Sequence, residues 1–239
     1  MPETGGIDRE RRGGMGDDSV KRIYIESRLW KFLTSEFLEN VKSRYHYGES
    51  DMPLLRSVAA DMAGCMRWQE SVYLVYGNES GAQENPSVQE DERDDGKGYH
   101  TTATVIMTFG IGIDLLQERY QSTGRMLESY MVESIGGELL MLGYRELSGW
   151  VKERTGYNVT AQHFFGEDAR YPLAQMPEAL ARAGQTKVSC NDGFCLTPKK
   201  SVVYQIELSK DGGGESCTEP CAVCSMRASC TVRGRDVQA

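Results

Sequence analysis

The chain has 239 residues, a formal net charge of −8, 39% hydrophobic residues and 26% charged ones. That composition fits one large domain with small appendages and excludes a chain too polar to build a core. The acidic balance argues against bare nucleic acid as a partner. No apolar run approaches the roughly 20 residues that a bilayer span needs, so no membrane partner is expected either.

In chain order, residues 1–18 are Gly-rich and charged and read as a disordered tail. Arg9, Arg11 and Arg12 are interleaved there with glycine and acid, so they read as solvated. The tail has no apolar stretch that would serve as a signal peptide, and a cytoplasmic chain is expected. Val20–Ile25 is short and β-branched, compatible with a strand or a helix start. Leu29, Phe32, Leu33, Phe37, Leu38 and Val41 recur at helical spacing and predict one amphipathic helix over 27–45. A second helix is predicted over Met52–Met66, with Pro53 in its first turn, where a missing N–H costs little. Cys65 falls on its apolar side and reads as packing. Residues 70–76 predict a strand ending at Gly77.

Residues 78–98 carry seven acids against Arg93 and Lys97, a net of −5, with almost no apolar content. Such a segment does not offset its own ordering entropy and reads as a disordered acidic loop. Residues 101–109 predict a strand, and Gly110 and Gly112 a tight turn before a helix starting at Ile113. The dinucleotide-binding reading fails, because position 115 is Leu where a third glycine is needed. A long helix is predicted over 125–153 with Gly136 and Gly137 inside it. Two glycines in mid-helix point to close packing against another element. A strand follows over 158–165, then a short helix over 172–183 capped by Gly184. A hairpin is expected around Asn191-Asp192-Gly193, and a strand over 201–208 that alternates polar and apolar residues. The domain is thus an α+β unit over 19–210, followed by a Cys-rich segment over 211–239.

The strongest chemical signal is Cys217-x3-Cys221-x2-Cys224-x5-Cys230. Four thiolates crowd into a stretch with too few apolar residues to fold by burial. Thiolates suit zinc or an iron–sulfur cluster, and the ligand bonds would supply the folding energy. Zinc sites usually show two separated Cys-x2-Cys pairs. The crowded, uneven spacing leans toward iron–sulfur, with [4Fe–4S] as one form. Cys190 and Cys195 flank the Asn-Asp-Gly turn and read as ordinary strand cysteines, with a further ligand or a redox dithiol as the alternative.

Four blocks carry a family resemblance. Leu196-Thr197-Pro198-Lys199-Lys200-Ser201-Val202 resembles the L-x-P-x-K-S-V signature near the end of the activation domain of cobalamin-dependent methionine synthase and its stand-alone relatives. The 101–109 strand with Gly110, followed by Glu133-Ser134-Ile135-Gly136-Gly137-Glu138, is similar to that family's strand–glycine–helix block. Tyr171-Pro172-Leu173 with Leu180 resembles its short helix, and Cys230 with Arg233 resembles the terminal cysteine cluster of stand-alone members. The resemblance spans roughly residues 50–235.

It implies an α+β fold around a twisted antiparallel sheet with flanking helices. It also implies binding of S-adenosylmethionine and donation of its methyl group, with an electron, to an oxidised corrinoid cobalt. A stand-alone member would act on a separate corrinoid protein or methionine synthase module. One departure stands out. The family grips S-adenosylmethionine with Arg-x-x-Pro-Gly-Tyr, and the matching stretch here is His163-Phe164-Phe165-Gly166-Glu167-Asp168. The fold transfers well and the cofactor transfers poorly, since His does not replace the bidentate pairing of Arg. Arg170, in a shifted position, is the candidate anchor, with Tyr171 beside it.

Of the smaller candidates, His163 reads as structural, and Glu138, after the two glycines, is expected to point into a cleft. Glu133 and Glu138 do not share a helix face, and Lys199 and Lys200 read as solvated. Two functions compete. One is reductive reactivation of a corrinoid protein, with the four-cysteine centre passing electrons. The other is a non-catalytic binding module with structural zinc. A rebuilt S-adenosylmethionine enzyme is a third.

Overall fold

A computed structural model describes residues 20–25, 27–67, 69–77, 101–167 and 169–210. The expectations for 1–18, 78–98 and 211–239 lie outside the described residues.

Val20–Ile25 is a strand, β1. The single helix predicted over 27–45 is two pieces: a 3-10 turn at Leu29–Phe32 and helix α1 at Ser35–Arg44. Thr34 makes the break. It is extended, and its Oγ1 accepts the Phe37 N–H at 3.3 Å, so it caps α1 instead of continuing the turn before it. Thr34→Ala is expected to cost about 1 kcal/mol in urea unfolding, and Thr34→Asp to retain most of that stability.

Helix α2 is Met52–Met66, as read, and β2 is Ser71–Gly77. Strand β3 is Thr101–Thr108 and helix α3 is Ile111–Ser122. The helix starts two residues earlier than expected, because only Gly110 of the two glycines has positive φ. Gly112 is helical, and its N–H donates to Gln69 Oε1 at 2.7 Å. Helix α4, Met126–Thr155, ends on Gly156 in the left-handed conformation. Strand β4 is Asn158–Phe164. A 3-10 turn at Leu173–Gln175 leads into α5, Met176–Arg182. The expected hairpin forms from β5, Ser189–Cys190, and β6, Leu196–Thr197, and β7 is Ser201–Ser209.

The fold is α+β. Five strands make one sheet in the order β1-β2-β3-β7-β4, with every neighbouring pair antiparallel. Helices α1 to α4 cover one face. Val105, Met107, Tyr204 and Ile206 of the sheet meet Leu55, Met62, Ile135 and Leu139 of the helices there. Helix α5 and the β5–β6 hairpin cover part of the other face, where Val75, Ile106 and Val203 meet Phe165, Met176 and Leu180. Strand alternation produces both layers, because neighbouring residues of β7 point to opposite faces. Among the described residues, no helix is long and apolar enough to cross a membrane.

Candidate functional site

The part of the second face beyond α5 is polar. The strand register aligns Thr104, Gln205 and His163 in one row, and Thr102 and Glu207 in the next. Gln205 Nε2 donates to Thr104 Oγ1 at 2.9 Å. His163 Nε2 lies 2.8 Å from Glu207 Oε1, and Arg170 Nη1 donates to the same oxygen at 3.4 Å. Arg170 Nη2 is 3.2 Å from His163 Nδ1, and its guanidinium carbon lies 5.6 Å from the centre of the Tyr171 ring. That ring is tilted against His163 at 5.3 Å. The side chains grade outward from His163 at 14% exposure, through Glu207 at 30%, to Arg170 at 55%. Two sequence candidates, Arg170 and Tyr171, are therefore brought together, and His163 has polar partners.

Glu207 was missed by the sequence reading. The available signal was the alternation of β7, which puts Glu207 on the face opposite Ile206 and Leu208. The cluster can orient a polar ligand, since one carboxylate, one imidazole and one guanidinium converge. It fits S-adenosylmethionine poorly. A guanidinium that already donates to a carboxylate is only partly available to a second one, and the Pro-Gly-Tyr part of the family loop is missing.

Glu138 is elsewhere. It lies on α4 in the helical layer, across the sheet from Arg170 and Tyr171. Arg44 Nη1 donates to its two carboxylate oxygens at 3.0 and 2.9 Å, and the Tyr45 hydroxyl donates at 3.3 Å. Burial first, and then the Glu138 charge, push the Tyr45 phenol up to about 12.

Lys200 also departs from expectation. Lys199 is exposed, but Lys200 is only 8% exposed, and its Nζ pairs with Glu133 Oε1. Its stem crosses α4 at Gly136, where an added Cβ would come within 3.0 Å of Lys200 Cε. The glycine thus serves close packing, as predicted, and the partner is a lysine stem. Burial raises the Glu133 carboxyl, but the Lys200 hydrogen bond and charge outweigh it, and the net shift is downward. A carboxyl depressed in the folded state stabilises above its ordinary value of 4.5, and that contribution fades as pH falls through the folded value. Lys200→Met is expected to remove this acid-side dependence, leaving the urea midpoint flatter below pH 4.5 than in the parent chain.

Cys65, Cys190 and Cys195 are free thiols. Cys65 is half-buried against the core, as read, and burial raises its thiol. Cys190 packs toward α5, whereas Cys195 is exposed. Cys217, Cys221, Cys224 and Cys230 lie outside the described residues. Among the described residues, no group of three or more His, Cys, Asp or Glu side chains is placed to hold a metal ion. No protein-family model matches the chain, and no curated protein matches it.

Proposed function

We propose that the protein is a stand-alone relative of the methionine synthase activation domain that reductively reactivates a corrinoid carried by a partner protein. One observation carries the reading. Strand β7 begins in the Leu196–Val202 block, runs in the sheet between β3 and β4, and ends at Ser209. Cys217 follows Ser209 by eight residues in the sequence, and Glu207, near the end of the same strand, pairs with His163 and Arg170. The α+β sheet with flanking helices is compatible with the family fold.

Cys217, Cys221, Cys224 and Cys230 would hold the centre, and four soft thiolates fit an iron–sulfur cluster or zinc. An iron–sulfur centre supplies a one-electron donor, with protein potentials reaching down to about −700 mV. No step is assigned to S-adenosylmethionine, because the residues around Arg170 do not fit it. That misfit favours the second reading, a binding module of the same fold with structural zinc.

The test is metal analysis and visible absorbance of anaerobically purified protein. Reactivation expects iron, sulfide and a band that bleaches on reduction. It also expects the reduced, desalted protein to convert aquocobalamin to cob(II)alamin. One zinc per chain without iron sinks electron delivery and selects the binding module.

A further inference from the structure

A cluster on the helical side is used by none of the chemistry above. Tyr45 and Tyr47 are separated by His46, whose φ of 59° is left-handed. That turn sends both hydroxyls onto α4. Tyr47 meets Ser134 Oγ at 2.9 Å, and Tyr45 donates to the Glu138 carboxylate that Arg44 clamps. The two rings are near parallel, 24° apart, with centroids 6.4 Å apart. Tyr130, one turn before Ser134, stands nearly perpendicular to both, at 6.4 and 6.1 Å. Their orientation is set before any ligand arrives, which lowers the cost of binding one.

The corner is open. Tyr130 is 52% exposed, and Met126 and Leu127 beside it are 61% and 42% exposed. Elsewhere the protein covers ring faces with its own cations: Lys21 at Tyr76, Arg125 at Tyr120, Arg170 at Tyr171 and Lys210 at Tyr157. Among the described residues, no Lys or Arg lies over Tyr45, Tyr47 or Tyr130. We propose that these three tyrosines form an aromatic corner that binds a methylated ammonium group.

The chemistry selects that class. Ring faces are negative and attract a cation whose centre lies within about 6 Å of the centroid. A point about 3 Å above the triangle of centroids is about 5 Å from all three, inside the distance range of a ring–cation contact. Methyl groups suit the Met126 and Leu127 rim, whereas a bare ammonium would give up strong hydration there. Glu138 is neutralised by Arg44, so the rings rather than a free carboxylate discriminate. The net charge of −8 favours approach of a cation over an anion.

The test is an NMR titration of the full-length protein, reading tyrosine ring resonances. The probes are choline and its uncharged isostere 3,3-dimethylbutan-1-ol. Choline is expected to shift the rings saturably, and the alcohol to bind roughly tenfold more weakly or not at all. Tyr130→Leu, at an exposed position, is expected to weaken choline by roughly tenfold while leaving the thermal midpoint unchanged. Tyr47→Leu is expected to act in the same direction. Equal binding of both probes would reduce the corner to an apolar patch. Absence of a saturable shift, or full binding by Tyr130→Leu, would overturn the proposal.

Discussion

Replacing Gly110 by alanine is expected to destabilise the fold by about 3–5 kcal/mol, lowering the thermal midpoint by roughly 10 °C. Gly110 has φ 85° and ψ 164°, a region that only glycine occupies at low cost. An added Cβ would also collide with Gln69 Cβ, the root of a side chain and not its flexible end. Gln69 has little freedom to retreat, because its Oε1 accepts the Gly112 N–H and its carbonyl accepts from Lys187 Nζ. The effect is therefore strain plus the loss of the α2–β2 link to α3. Gly149→Ala is the internal control. Nothing lies within 4 Å of a Cβ there, and the site is in mid-helix, so a gain of about 0.5–1 kcal/mol is expected. If Gly110→Ala unfolds at the parent's denaturant midpoint, the account of the strand–glycine–helix block fails.

The second large effect concerns the Cys run. The double change Cys221→Ser and Cys224→Ser is expected to abolish bound metal, because two of four thiolates are lost and hydroxyls do not replace them. The urea transition of the α+β domain is expected to stay in place, since among the described residues its two cores draw on none later than Leu208. Cys195→Ser is the control, an exposed free thiol in the β5–β6 hairpin that is expected to leave metal content unchanged. Full metal occupancy in the double variant would remove the basis for electron delivery. Loss of metal in Cys195→Ser would instead bring the hairpin into the ligand set.

Much of the fold was legible because its signals are local. The alternation of β7, Pro53 at the head of α2 and the Asn-Asp-Gly turn each depend on a few neighbouring residues. The 27–45 stretch misled because apolar spacing runs straight through Thr34, and spacing does not register where a hydroxyl takes over a backbone donor. Lys200 misled for a different reason. A lysine beside a lysine looks solvated until a distant helix supplies a glycine groove and a glutamate. The polar cluster was half legible. Arg170 and Tyr171 are adjacent in sequence, but the pairing of His163 with Glu207 follows only from β4 lying next to β7. Glu138 was read from its place after the two glycines, and its pairing with Arg44 depends on α1 packing near α4, which no local spacing signals.

The strand order also governs how the nascent chain acquires its structure. Until residues 201–209 have left the ribosome, β3 and β4 each present an open edge toward a gap that only β7 closes in this sheet. Helices α1 to α4 can collapse early, but the sheet is completed last and through contacts distant along the chain, which is a slow route. Synthesis that stalls before residue 201 therefore leaves an aggregation-prone fragment rather than a smaller working protein.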